Sequence, residues 1–74
     1  MSYNYRIIKD EQGYTIHEVY YTKGKPTMWT DEVVPHGETL KELKEDFKLY
    51  RQAFKRPVLE INGKKLVKRT ERIN

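Results

Sequence analysis

The chain has 74 residues, enough for one small domain spanning 1–74 and too few for two. It contains no cysteine, which excludes disulfides, thiolate nucleophiles and cysteine-based zinc sites and is typical of the cytoplasm. The first twenty residues hold no apolar run, so we expect neither a signal peptide nor a membrane partner.

The formal net charge of +4 is unevenly distributed along the chain. Residues 1–54 contain eight Lys/Arg and nine Asp/Glu, whereas residues 55–74 contain seven Lys/Arg and two Asp/Glu. The basic excess therefore belongs to the last quarter of the chain, which makes that part a candidate for contact with anions or acidic surfaces.

The first half of the chain predicts a three-stranded antiparallel meander. Alternating, aromatic or β-branched residues over 3–9, 14–22 and 27–34 favour strands, and short turns rich in glycine separate them. In the second strand the alternation fails near His17. Either a bulge switches the faces there, or both faces of the sheet are covered.

A helix is predicted from Thr39 to Phe54. Thr39 and Glu42 fit a capping box at its start, and Pro57 cannot continue it. Its apolar residues recur at steps of three and four and define one stripe, so we expect the helix to pack on the sheet. They are Leu40, Leu43, Phe47, Tyr50 and Phe54.

A β-hairpin follows the helix, with strands over 58–61 and 64–68 around an Asn62-Gly63 turn. The fold class is therefore α+β with element order βββαββ. A helical crossover permits the fourth strand to run parallel to the first, which gives the order 3-2-1-4 with the last strand at the edge. We expect residues 70–74 to be frayed.

Two sets of motifs carry a resemblance to known families. A helix start of the form G-x-T-x-x-E-L at 37–43 follows three strands, and the resulting order resembles the partner-binding domain of HicB-type antitoxins over 3–61. Three further strings resemble small uncharacterised bacterial and phage proteins: Y-x-Y-R-I at 3–7, I-H-E-V-Y-Y at 16–21 and G-K-P-x-x-W-T at 24–30. The antitoxin resemblance implies a non-catalytic module that covers a toxin. Only thirteen residues follow Ile61, too few for the DNA-reading domain usual in that family, so operator binding is not implied.

No arrangement of residues indicates catalysis, a metal or a cofactor. His17-Glu18 would need a second histidine at position 21 to form a zincin motif, and that residue is tyrosine. His17 and His36 are the only histidines, and the single serine, Ser2, has no nucleophile setting. We therefore expect the protein not to be an enzyme.

The candidate partner-binding residues are two aromatics and six basic residues near the final hairpin. They are Tyr21, Trp29, Lys55, Arg56, Lys64, Lys65, Lys68 and Arg69. The basic set predicts one positive edge able to hold phosphate or an acidic surface, or it protects an edge strand from aggregation. We expect the tyrosines on the first two strands to pack in the core, although a sheet face of tyrosines could also stack bases. Trp29 is expected beneath the helix.

Two functions are compatible with these features. The first is a binding module that binds and inhibits a protein partner, using the sheet face away from the helix or an edge strand. The alternative is nucleic-acid binding through the basic hairpin. Homodimerisation through an edge strand fits either function.

Overall fold

The computed structural model describes residues 2–69 and contains five strands and one helix in the predicted order, an α+β arrangement. The strands are β1 (Ser2–Asp10), β2 (Gly13–Thr22), β3 (Lys25–Glu32), β4 (Leu59–Asn62) and β5 (Lys65–Lys68). Helix α1 (Leu40–Tyr50) continues into a 3₁₀ turn (Arg51–Lys55). The predicted frayed end at 70–74 lies outside the described residues.

All five strands form one sheet in the order β3-β2-β1-β4-β5, which confirms the predicted order. β1 and β4 are parallel, with Ile8 opposite Leu59, and the other neighbouring pairs are antiparallel. The sheet is therefore mixed. The parallel pairing of β1 and β4 is possible because the connection through α1 is long enough to return the chain to the same end of the sheet.

The turn of the last hairpin differs by one residue from the prediction. Asn62 pairs with Lys65, so the turn residues are Gly63 and Lys64 and not Asn62-Gly63. Gly63 has φ of +67°, a conformation that a residue with a side chain rarely adopts.

The irregular pattern of β2 reflects a sheet that is covered on both faces. The β1–β2 ladder is continuous from Ser2 opposite Tyr21 to Asp10 opposite Gly13, so the alternation of β2 is not interrupted by its pairing with β1. The register shifts lie in the β2–β3 pairing, where Val19 pairs with Trp29. Of the two explanations, the coverage of both faces accounts for the sequence.

The inner face of the sheet is closed by the curl of the sheet itself. Ile8, Val19, Leu59 and Leu66 form one buried cluster, called here the inner cluster. Val19 lies on β2 and Leu66 on β5, three strands away, a separation of about 14 Å in a flat sheet. The sheet must curl so that the β4–β5 hairpin covers its inner face.

The outer face carries a second cluster, and only the end of the helix reaches it. Ile7, Ala53 and Val58 form this outer cluster, with Ala53 supplied by the 3₁₀ turn. Tyr50 is also buried, with 7% of its surface exposed. The prediction that the whole apolar side of the helix packs on the sheet is wrong, because the helix residues before Tyr50 extend past the outer cluster.

Candidate interaction surface

The start of α1 is fixed by the predicted cap. Thr39 is extended, with φ of −123° and ψ of 161°, and its Oγ1 accepts a hydrogen bond from the Glu42 backbone N–H at 3.1 Å. This bond satisfies an amide that has no partner inside the helix. The cap therefore sets where the first helical turn begins.

The segment at 34–37 runs back along one side of α1. The Tyr50 hydroxyl donates to the Val34 carbonyl at 2.9 Å, and Asp46 Oδ2 accepts from the His36 backbone N–H at 2.8 Å. Gly37 lies so close to the helix that an added Cβ would be 2.7 Å from the carbonyl carbon of Glu42. The segment therefore holds the side of the helix that carries Glu42, Asp46 and Tyr50.

The side next to this segment carries four large apolar residues that the rest of the described chain covers only in part. Leu40 is 83% exposed, Leu43 38%, Phe47 55% and Phe54 53%. They keep the three- and four-residue spacing of a buried helix face, and we call them the apolar stripe. Large exposed apolar patches are common at interaction sites, which makes the apolar stripe a candidate for one.

A row of basic residues borders the apolar stripe on one side only. Each lies one position after a stripe or buried residue, about 100° further round the helix. They are Lys41, Lys44, Lys48, Arg51 and Lys55, all exposed, and we call them the basic stripe. The other border contains Glu42 and Asp46, so the surface is basic on one side and acidic on the other.

Four tyrosines form a continuous aromatic row across the outer face of the sheet. The rings of Tyr20 and Tyr3 are 5.4 Å apart, those of Tyr3 and Tyr5 6.2 Å, and those of Tyr5 and Tyr50 4.4 Å. The row joins β2, β1 and the end of α1. The Tyr5–Tyr50 pair packs the sheet against the helix end, as the core interpretation predicts, whereas Tyr3 is 53% exposed and Tyr14 54%.

The electrostatic surroundings of this row disfavour phosphate. Burial raises the pKa of Tyr5 to about 12, and the neighbouring phenols and the carboxylates Asp46 and Glu18 add to the effect. Burial and Asp46 also raise the pKa of Tyr50. Two carboxylates beside the rings would repel a nucleic-acid backbone, so this row is a poor platform for stacking bases.

Tyr21 and Trp29 lie against the inner cluster. The Tyr21 hydroxyl accepts a hydrogen bond from Arg6 Nη1 at 2.6 Å, while Arg6 Nη2 donates to the Pro57 carbonyl at 2.8 Å. Trp29 was expected beneath the helix, and that expectation is wrong, because its side of the sheet is opposite to the outer cluster. Both aromatics are half-buried supports of the fold.

The six basic candidates do not lie together. Lys68 is opposite Leu59 and Arg69 forms an ion pair with Glu60 at 2.8 Å, so both are at the start of β4, near Arg56. Lys64 and Lys65 are at the other end of the hairpin, about 10 Å further along the strand. Lys55 belongs to the basic stripe. Lys64, Lys65 and Lys68 thus share the edge strand β5 and its turn, and Lys55 lies apart from them in the 3₁₀ turn.

Lys25 is a basic residue near the hairpin that the sequence analysis missed. It lines a cleft between β3 and β5 together with Lys64 and Lys65. The 38 residues between Lys25 and Lys64 hide this proximity, because only the curl of the sheet brings its two edge strands together. The basic stripe, in contrast, could have been found from its spacing along the helix.

His17 is engaged in the fold. Its Nδ1 is 2.8 Å from the Thr30 carbonyl oxygen and its Nε2 is 2.7 Å from Thr15 Oγ1, which links the ring to β3 and to its own strand. Within residues 2–69 no three histidine, aspartate or glutamate side chains are grouped so as to hold a metal ion. Nor does any helix in that range have the length and apolar character needed to span a membrane.

Comparisons with protein-family models, with curated proteins and with solved structures find no match to this chain. The antitoxin resemblance consequently stays a prediction from the motifs. Any function has to be argued from the surfaces described above.

Proposed function

We propose that this protein is a non-enzymatic module that binds, and thereby inhibits, a protein partner through the exposed side of α1. One observation carries this proposal. The apolar stripe has the spacing of a helix face made to be buried, yet Phe47 and Phe54 are each more than half exposed. An apolar helix face laid into a groove is a recurrent mode of protein recognition, read through anchors at these spacings.

The charges beside the apolar stripe describe the partner. The basic stripe borders one side, so the matching groove is apolar at its base and carboxylate-rich on the rim that meets Lys44, Lys48 and Arg51. The acidic border at Glu42 and Asp46 requires the opposite rim to be neutral or basic. This asymmetry allows the helix to enter the groove in only one direction.

A second copy of the chain is a poorer occupant of the same surface. Antiparallel pairing of two α1 helices through the apolar stripe would place the residues after each stripe position opposite their counterparts, Lys44 and Arg51 among them. Like charges held opposite one another oppose association. The charge pattern therefore disfavours an antiparallel pair of copies at this surface.

Site-specific photocrosslinking tests the proposal. A benzoylphenylalanine replaces Phe47 in the test protein and Met28 in the control, because both residues are about equally exposed, 55% and 58%, and only Phe47 lies on α1. After irradiation in native host extract, we expect one acidic protein to be crosslinked from position 47 and not from position 28. The isolated protein should then lose activity when the module is added.

Two results would contradict the proposal. One is the same set of crosslinked proteins from both positions, which would show general adhesion. The other is a crosslink from position 47 to a second copy, accompanied by a dimer in sedimentation equilibrium; the surface would then be a self-association site.

A further inference from the structure

We propose a second binding site, for the phosphodiester backbone of single-stranded nucleic acid, in the cleft between the two edge strands of the curled sheet. This site is separate from the surface of α1 and does not depend on the proposed function. It is formed by Lys25, Pro26 and Thr27 on the β3 side and by Lys64, Lys65 and Leu66 on the β5 side. Its volume is about 400 Å³.

The cleft exists because the sheet curls without closing. β3 is hydrogen-bonded only to β2 and β5 only to β4 within residues 2–69, so each has one unpaired side. Leu66 reaches the inner cluster and is 6% exposed, which brings the start of β5 towards the start of β3. The unpaired edges therefore approach one another and leave a concave gap between them.

Three lysines from distant parts of the chain surround this gap. Lys25, Lys64 and Lys65 are all exposed, and no ion pair joins any of them to a carboxylate within the part of the chain that the structure describes. Positive charges gathered around a concavity concentrate anions there, because the low-dielectric walls focus the field. The gathering of three positive charges around one concavity is the feature that indicates an anionic ligand.

The residue types are compatible with a phosphate backbone. Lysine is a common phosphate ligand that acts as a point charge, without the two-pronged geometry that arginine offers to carboxylate and phosphate alike. All three cations at the cleft are lysines. The cleft also includes the apolar side chains of Pro26 and Leu66, against which a sugar or base can rest without losing a hydrogen bond.

Protection of the edge strands explains part of this pattern, but not the position of the lysines. A lysine on an edge strand prevents pairing with another sheet wherever it lies along that edge. Here three lysines, Lys25 from one edge and Lys64 and Lys65 from the other, are found at the place where the edges meet. Lys68, also on β5, is outside the cleft lining.

Fluorescence anisotropy with labelled 12-nucleotide oligo(dT) and oligo(rU) tests the site. The test variant is Lys25→Gln/Lys64→Gln/Lys65→Gln, and the control is Lys9→Gln/Arg56→Gln/Lys68→Gln, which removes the same charge elsewhere. Urea unfolding first establishes that both variants are folded. The wild type should bind with an affinity that falls steeply from 50 to 200 mM salt, since each released counterion adds to the slope.

We expect the cleft variant to bind at least tenfold more weakly than the wild type, with a salt slope reduced by about 2, and the control to lose less than threefold. An equal loss in both variants would show a delocalised charge effect and overturn the site. Undetectable or salt-independent binding by the wild type would do the same. Tighter binding of poly-glutamate than of either oligonucleotide would also overturn it, in favour of an acidic polypeptide ligand.

The two proposals fail independently. Loss of oligonucleotide binding in the cleft variant leaves the crosslink from position 47 unchanged if both are right. If the cleft proposal fails, α1 keeps its exposed apolar stripe, and the crosslinking experiment still decides the protein-binding function.

Discussion

The ring of Tyr50 stacks on the ring of Tyr5, with centroids 4.4 Å apart and planes inclined by 27°. Tyr5 lies in β1 and Tyr50 is the last residue of α1, so this pair ties the helix to the centre of the sheet. The orientation of α1 relative to the sheet depends on this contact and on the segment at 34–37. The orientation of the apolar stripe follows from these two supports.

Two substitutions of Tyr50 should distinguish the contribution of its hydroxyl to stability from the contribution of its stacked ring. In Tyr50→Phe the ring stack stays, while the 2.9 Å bond to the Val34 carbonyl and the interaction of the hydroxyl with Tyr5 are lost. Each such bond is worth about 0.5–1.5 kcal/mol in the free energy of unfolding. In Tyr50→Ala the buried ring is lost as well, which costs about 3–5 kcal/mol. Urea unfolding of both variants measures the difference, and equal losses would contradict a stacking role.

Alkaline pH should weaken the same junction. The pKa of Tyr5 is raised from 10.0 to about 12 in the folded protein, chiefly by burial, so the folded state holds its phenolic proton more tightly than the unfolded chain. Stability from this group is fully present below pH 10 and is lost as the pH rises through 12. Unfolding experiments from pH 9 to 12 should show this decline.

The control for the alkaline loss is Tyr5→Phe, which keeps the ring and has no proton to lose. Its stability should fall less steeply over the same range, and the last step of the ultraviolet tyrosine titration should shrink. An identical pH profile for the variant and the wild type would assign the loss to other tyrosines.

Truncation of the exposed stripe should cost little stability. Phe47 keeps 55% of its surface exposed, so Phe47→Ala should lower the free energy of unfolding by only about 1 kcal/mol. Val19→Ala, at a residue with no exposed surface, should cost about 2–4 kcal/mol. A large loss for Phe47→Ala, measured by urea unfolding, would show that the stripe supports the fold and is not free to bind.

Most of the strand arrangement was predictable because its signals are local. Alternation marked β1, and turn residues marked the ends of β2 and the final hairpin, so the order of the elements followed from the chain. The parallel pairing of β4 with β1 followed from the length of the crossover. The one-residue error at Gly63 arose because both Asn62-Gly63 and Gly63-Lys64 contain the glycine that the turn requires.

The exposure of the apolar stripe was harder to predict, because it depends on whether the sheet packs against the helix. Spacing identifies an apolar helix face, but an interface helix and a core helix have the same spacing. Leu43 and Phe47 therefore had the same pattern as Tyr50, and only the tertiary structure separates the two exposed residues from the buried one. The cleft lysines were missed for a related reason, since Lys25 and Lys65 meet through the curl of a sheet.

Gly37 offers a way to move the helix without changing the surface that is proposed to bind. A Cβ added there would lie 2.7 Å from the carbonyl carbon of Glu42 and 2.8 Å from its Cβ, and the nearby atoms are largely helix backbone that cannot give way. Gly37→Ala should therefore push the segment at 34–37 away from α1 and strain the His36–Asp46 hydrogen bond. We expect a loss of about 1–3 kcal/mol in the free energy of unfolding.

The matched control is Glu38→Ala, because Glu38 directly follows the segment and is exposed. That variant should unfold within about 0.5 kcal/mol of the wild type. Backbone NMR shifts provide the second readout, since displacement of the segment in Gly37→Ala should change the His36 and Leu43 amides together while β1 and β2 stay unchanged. If Gly37→Ala is as stable as Glu38→Ala and these amides do not move, the segment does not hold the helix, and the direction of the apolar stripe must come from the Tyr5–Tyr50 stack.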